Sequence, residues 1–292
     1  MSTSRPPVDE SLRDAYLRRL GFATPPPATV ETLFALHRAQ LERIPYESVW
    51  IWLGERRTIE PLDSVRHLVS GRGGYCFHHN GAMATLLDWL GFRVHWHVAG
   101  VQGSGEPNPH TNGDHLALTV TDLPSDTNPE GAWFIDAGLG VGPHEPMPLR
   151  VGTYTQGPHT YGLRPSDLDP AGWRWDGDPN LSLQGMDFLP GPATTADLQA
   201  EHERLQTSPD STFVKFLIVI RRDATGVDLL NGRILKHLGH TETKTELNTR
   251  ADWYACLADK FNLPLSDVDE PAKTALWKKV TTAHERQLTA AG

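Results

Sequence analysis

The chain has 292 residues, 38% of them hydrophobic and 22% charged, enough apolar material for more than one packed core. Its formal charge of −9 argues against general nucleic-acid binding, which needs a basic face. Two cysteines, Cys76 and Cys256, exclude a disulfide framework and fit a reducing cytosol.

The first section reads as helices. In "SLRDAYLRRLGF", Leu12, Tyr16 and Leu20 fall at helical spacing and Gly21 supplies a stop. In "PPPATVETLFALHRAQLERIPYES", Thr29 can cap a helix whose stripe is Leu33, Leu36, His37 and Leu41, with Pro45 ending it. A third helix or turn starts at Asp63 in "DSVRHLVSGRGG". "HHNGAMATLLDWLGF" places Met83, Leu86, Leu87 and Leu90 on one face of a fourth, closed by Gly91. Cys76 then sits at or just before the N-terminus of that helix. The opening stretch "MSTSRPPVDESLRDAYLRRLGF" has no apolar signal core, and no apolar run reaches the roughly 18 residues of a membrane span.

The texture changes after Gly91. "FRVHWHVAGV" (92–101) alternates, with Phe92, Val94, Trp96 and Val98 on one side and Arg93, His95 and His97 on the other, where the two histidines are expected to face solvent. "GEPNPHTNGD" reads as a loop, and "HLALTVTD" and "AWFIDAGLG" as further strands. Short strands and Gly/Pro turns continue to about residue 190, the pattern of an antiparallel barrel or sandwich. "TTADLQAEHERLQTSPDS" is helical and then loop; "TFVKFLIVIRR", "GVDLLNGRILKHL" and "HTETKTEL" read as a second sheet. Two helices close the chain, and Cys256 falls on the apolar stripe of the first as a core residue. No internal repeat or low-complexity segment interrupts this order.

The chemistry concentrates around "RGGYCFHHNG" (72–81). A cysteine is a nucleophile only as thiolate, and a helix N-terminus with a nearby cation favours that form. Gly73 and Gly74 can bring backbone N–H groups close, as an oxyanion site requires. A base and an orienting group are available at strand ends: His115 opens "HLALTV" and Asp136 closes "WFID". If those strands are antiparallel neighbours, His115 and Asp136 meet. The plainer alternatives are a buried inert cysteine, a strand-end histidine and a turn aspartate. A His-rich metal site competes through His78, His79, His95 and His97, yet no CxxC or HExxH spacing exists, so no metal is expected.

Taken together, "RGGYCFHHN", "HLALTV" and "FIDAGLG", in that order, resemble the arylamine N-acetyltransferase family. The motifs are its Arg-Gly-Gly-x-Cys, its histidine-led strand and its Asp-Val-Gly-Phe-Gly. "ERIPYES" resembles its Ile-Pro-Phe-Glu-Asn, and "LQTSPDSTFV" its Ser/Thr-Pro-x-Ser-x-Phe segment. The resemblance implies an α+β, three-part cysteine-protease-like acetyltransferase fold. Its parts are a helical bundle (1–91) with the cysteine, a β-barrel (92–195) with the histidine and aspartate, and an α/β lid (196–292). It implies a catalytic triad of Cys76, His115 and Asp136, and a structural ion pair between Arg72 and Glu47. It also implies coenzyme A or substrate contacts at Thr111, Asn112, Gly113, Gly138, Leu139 and Phe213. The implied reaction is acetyl-CoA-dependent N-acetylation of arylamines and arylhydrazines by a ping-pong route through acetyl-cysteine, without a metal. The implied enzyme is a cytoplasmic monomer or homodimer with no nucleic-acid or membrane partner.

Relatives that act as amide synthases, closing a macrolactam from a carrier-bound polyketide chain, supply the alternative. Departures from the family pattern are His78 in place of glutamate, Leu139 in place of phenylalanine, and Tyr46 and Ser48 beside Glu47. His78 replaces an anion with a neutral or a cationic group, which would lower the thiol pKa further or loosen local ion pairing.

Overall fold

The helical section begins and ends where capping chemistry dictates. In α1 (Glu10–Leu20) the Asp9 carboxylate accepts the Leu12 N–H at 3.0 Å, and Gly21 ends the helix at φ +91°. In α2 (Val30–Arg43) the Thr29 hydroxyl accepts the Thr32 N–H, and Pro45 follows the last turn. A two-residue strand, β1 (Tyr46–Glu47), and a short helix, α3 (Val49–Leu53), come next. Then follow α4 (Pro61–Val69), with proline at its first position, and α5 (Cys76–Trp89). The structure, a computed structural model, describes residues 7–105 and 108–291, with side chains to 286. The first six residues of the opening stretch, and residues 106 and 107 of the loop read at "GEPNPHTNGD", lie outside it.

The sequence pattern gives α5 one apolar face, but the structure buries all of it except Asp88. Helices α1 and α4 pack on one side of it, and strands of the following sheet on the other. The helix is buried on nearly every side, its polar His78, His79, Asn80 and Thr85 included, and its Ala82, Ala84 and Gly81 let neighbours approach closely.

The next eight strands are β2 (Arg93–Gly103), β3 (His115–Thr121), β4 (Trp133–Ile135), β5 (Met147–Pro148), β6 (Gly152–Gln156), β7 (His159–Pro165), β8 (Trp173–Asp176) and β9 (Leu183–Phe188). They form one antiparallel sheet in the order β5-β4-β3-β2-β9-β8-β7-β6. Its outer strands are three residues apart in sequence and are tied together. The Tyr154 hydroxyl donates to Pro148 O at 3.1 Å, and the Gln156 amide both donates to Glu145 O and accepts its N–H at 2.9 Å. The sheet is therefore a nearly closed barrel, filled by Phe134, Met147, Tyr161, Trp175 and Phe188.

His97 is a correction within this sheet. It is buried rather than solvent-facing, with Nδ1 on Leu189 O at 3.0 Å and Nε2 on the Thr119 hydroxyl at 2.8 Å. The chain returning from β9 covers it. His95, two residues earlier, is exposed as expected.

The last section runs α6 (Thr195–Thr207), α7 (Thr212–Lys215), β10 (Ile218–Asp223), β11 (Gly226–Asn231), β12 (Ile234–Gly239), β13 (Thr243–Glu246), α8 (Arg250–Asp259) and α9 (Glu270–Ala291). "TFVKFLIVIRR" splits: its first four residues form α7 because Ser211 caps them, accepting the Phe213 N–H at 3.2 Å. The five-stranded sheet is β1-β10-β11-β12-β13, so the first section donates an edge strand to the last. Val219 and Leu230 of this sheet pack with Trp253 and Leu257 of α8 and Leu276 and Val280 of α9. Cys256 is half-buried against that core, and both cysteines are free thiols. Among the described residues no helix is long and apolar enough to cross a membrane.

The segment joining β1 to α5 is the tightest seam. Glu47 N–H donates to Gly74 O at 2.7 Å, and a Cβ on Gly73 would fall 2.0 Å from Pro45 O. Gly73→Ala should cost about 1–3 kcal/mol, read as a lower midpoint in thermal or denaturant unfolding. Gly191→Ala is the control, since nothing lies within 4 Å of its Cβ position, and it should leave the midpoint unchanged.

Candidate active site

Cys76 is the first residue of α5, a 14-residue helix, and Tyr75 before it is extended. The thiol therefore sits where the unsatisfied N–H groups of the helix converge. Asn80 follows one turn later on the same face. β3 and β4 are antiparallel neighbours with Leu118 opposite Ile135, which brings His115 and Asp136 together. His115 Nε2 donates to Asp136 Oδ2 at 2.8 Å, and the His115 ring also hydrogen-bonds the Cys76 thiol. The thiol in addition points at Asp114 O, 3.7 Å away.

The Asp136 carboxylate is 1% exposed and satisfied from several sides. Its Oδ1 accepts from Asn80 Nδ2 and from Gly138 N–H, each at 2.8 Å. Asn80 also donates to Leu116 O at 2.6 Å and accepts from Ala137 N–H at 2.9 Å. One side chain of α5 thus binds both strands that carry the histidine and the aspartate. The turn after Asp136 lies flat on Cys76: a Cβ on Gly138 would fall 2.7 Å from Cys76 O. His37 closes the far side, its Nε2 accepting Asp136 N–H at 3.3 Å and its Nδ1 donating to His144 O at 3.1 Å.

Burial pushes the His115 imidazole down, but the Asp136 charge, the Asp136 hydrogen bond and the Cys76 thiolate together outweigh it and carry it up to about 10. Burial pushes the Cys76 thiol up, and hydrogen bonding and charge from His115 oppose that. The two groups titrate as a pair. Asp136 favours the protonated imidazole, while burial holds the thiol above its ordinary value. His37 has no carboxylate contact of that kind, and burial pushes it down to about 4. His79 is likewise buried and pushed down to about 4. It ends a relay from the Tyr16 hydroxyl through Gln40 and its own ring to Pro45 O.

One expectation is corrected by the geometry. The Arg72–Glu47 ion pair is replaced by two others. Arg57 Nη1 lies 3.6 Å from Glu47 Oε1 and donates to Gly73 O at 2.9 Å, while Arg72 pairs with Glu55 and, at 3.5 Å, with Asp267. Arg57 enters from the loop after α3 and reaches the buried carboxylate first. Close packing explains why both residues are glycines: Pro45 and Glu47 press on Gly73, and His78 presses on Gly74. Of the two forms open to His78 the neutral one fits: it is fully buried between Trp50, Tyr75 and His202, and burial and the nearby Arg57 hold its pKa well down.

The remaining expected contact residues divide. Thr111 is half-buried and Asn112 exposed, and Gly113 takes φ +84° with its N–H on Ala99 O at 3.1 Å. Leu139 is buried in the barrel core beside Ile220 and Tyr46. The Phe213 ring lies 5.2 Å from that of Tyr75 and 6.1 Å from that of Tyr46, beside the turn that carries Cys76. The site roles of Asn80, Arg57 and His37, the last expected only in the buried stripe of its helix, are not visible in the sequence pattern. Asn80 alone carried a signal, its position four residues after Cys76. Among the described residues no group of three or more His, Cys, Asp or Glu side chains is arranged to hold a metal ion.

Two measurements test this electrostatic picture. Glu47 is fully buried, so Arg57→Ala should destabilise by about 3–5 kcal/mol in chemical denaturation by stranding its charge. Arg72→Ala should cost clearly less, because the side chains of its partners Glu55 and Asp267 are 37% and 57% exposed. Stability should also peak near pH 6.5. Below that value the unfolded chain protonates His37 and His79 while the fold resists until about pH 4, so stability is lost with acid, by about 1.4 kcal/mol per group per pH unit. Above it the His115 contribution, complete below pH 6.5, is lost as pH rises toward about 10. A flat profile of denaturation midpoint against pH from 4 to 9 would contradict these assignments.

Residues 29–269 match the family model for N-acetyltransferase. An arylamine N-acetyltransferase of Mycobacterium tuberculosis is 30% identical over 277 residues, spanning 88% of this chain and 90% of that one. Proansamycin X synthase of Amycolatopsis mediterranei is 31% identical over 147 residues, 49% of this chain and 54% of that one. Among solved structures, Mycobacterium marinum arylamine N-acetyltransferase in complex with CoA superposes with a TM-score of 0.79 at 24% identity, covering 92% of this chain and 98% of that one. With the matched family model spanning most of the chain, the protein is an acyltransferase and belongs to the arylamine N-acetyltransferase family.

Proposed function

We propose that the protein transfers acetyl groups from acetyl-CoA to arylamines and arylhydrazines by a ping-pong route through an acetyl-Cys76 intermediate. The observation that carries this reading is the continuous hydrogen-bonded line from the Cys76 thiol through His115 to Asp136 at a helix N-terminus. The M. marinum relative binds CoA, which supports a CoA thioester as donor.

In the first half-reaction the Cys76 thiolate attacks the thioester carbonyl. The sulfur–carbon bond forms, the oxyanion collapses, and the CoA thiolate leaves, taking a proton from His115. N–H groups of the first turn of α5 stabilise the oxyanion; the Phe77 N–H already points at the sulfur. In the second, the amine attacks the acetyl-cysteine carbonyl, His115 accepts the amine proton, and the Cys76 thiolate is released. Asp136 fixes the ring so that Nδ1 faces the reacting atoms, and Asn80 fixes Asp136. No step requires a metal. Donor contacts are assigned to Thr111, Asn112 and Gly113, and the acceptor side to Gly138, Leu139 and Phe213. The enzyme works in the cytoplasm, as a monomer or homodimer.

The partial similarity to proansamycin X synthase favours a second reading, amide synthesis on a long acyl chain. Leu139, where the family places an aromatic ring, makes the acceptor side less suited to stacking an arylamine.

Incubation with acetyl-CoA followed by intact and peptide mass analysis should place one acetyl group on the peptide containing Cys76. Adding an arylamine should discharge it, and Cys76→Ser should abolish both. An acetylated Cys76 that no arylamine discharges, with turnover only of long acyl thioesters, would select the second reading. Unchanged turnover in Cys76→Ser would overturn both.

A further inference from the structure

A cavity of 870 Å³ lies between α3, the end of α7 and α9, away from the thiol. The α9 residues facing it run from Ala275 to Arg286 along one helical face. Ala275, Thr282 and Ala283 are small and keep the floor open, while Lys278, Lys279 and Arg286 stand around it. Lys215 of α7 adds a fourth cation from the facing wall, and Trp52 of α3 supplies an aromatic surface. None of the lining residues is acidic, in a chain with 36 acidic and 27 basic side chains. Lys279 Nζ donates to Trp52 O at 3.0 Å and so braces the α3 wall against α9. Lys215 reaches Asp210 at 3.3 Å, an exposed contact that water and salt weaken.

We infer that this groove binds an adenosine phosphate, with the phosphates on the α9 cations and Lys215 and the base on the Trp52 side. Cations around an aromatic wall fit that chemistry, and the volume falls within the range of small-molecule sites. Two sources share it: a free adenine nucleotide, or the phosphorylated head of the acyl donor. The second source rests on the acetyl-CoA reading above; the first does not. Helix α7 and the residue after it link the groove to the packing beside Tyr75. Val214 and Phe216 face the cavity, and Phe213 between Ser211 and Val214 packs on Tyr75 and Tyr46.

The test uses the full chain and the double variant Lys278→Glu/Arg286→Glu, with ADP as calorimetric probe and acetyl-CoA as kinetic probe. ADP should bind saturably at low salt, more weakly as salt rises, and at least about ten-fold more weakly to the double variant. A parallel rise in KM for acetyl-CoA, with kcat retained, assigns the groove to the donor head. An unchanged KM with ADP binding lost assigns it to a free nucleotide. Absence of saturable ADP binding, equal ADP affinity in the two proteins, or binding of an acidic protein there without ADP overturns the inference. ADP binding to Cys76→Ala separates this result from the acetyl-transfer reading, because that protein cannot turn over yet keeps the groove intact.

Discussion

The contact between the His115 imidazole and the Asp136 carboxylate is the constraint around which the site is built. A carboxylate 1% exposed to solvent is costly unless every lone pair is met and a cation stands beside it. Asn80 and the Gly138 N–H meet one oxygen and His115 the other. The same carboxylate favours the proton on His115, whose hydrogen bond and charge work against the burial that raises the Cys76 thiol. Stability and reactivity use one set of bonds here. Elsewhere the interior histidines His37, His79 and His97 are pushed down by burial, the opposite direction to His115.

The turn that carries Cys76 is fixed from three directions. Helix α5 is buried between helices and barrel, Gly73 and Gly74 pack on the β1 segment, and Gly138 lies against Cys76 from the barrel side. Glu47 joins the sections: its N–H binds Gly74 O, its carboxylate caps α3 through Val49 N–H at 2.6 Å, and β1 extends the sheet of the last section. Arg57 neutralises it from within. The three sections are therefore pinned together a few residues from the thiol, which explains why a small displacement of β1 would be felt at the site.

Much of this was legible in the chain, and what was not has physical causes. Capping residues marked α1 and α2, and strand-end placement of His115 and Asp136 was enough to bring them together once β3 and β4 paired. The helical turn at α7 was hidden in an apolar run, because a single serine cap decided it against a strand pattern. His97 followed strict alternation yet is buried, since periodicity cannot foresee the chain that returns to cover it after β9. The partner of Glu47 depended on which arginine the loop after α3 delivers. Asn80 stood in the motif itself, but its role required knowing that two strands lie against that face of α5.

The central claim is that Asp136, acting through His115, creates the reactive thiolate at Cys76. It is tested most directly by the rate of iodoacetamide modification of Cys76 near neutral pH in the native protein, His115→Asn and Asp136→Asn, with folding checked by circular dichroism. The account predicts rapid modification in the native protein and at least a ten-fold slower rate in both variants, the order expected from losing a buried charge-assisted hydrogen bond, roughly 1.5–3 kcal/mol. Equal rates in all three folded proteins would contradict it.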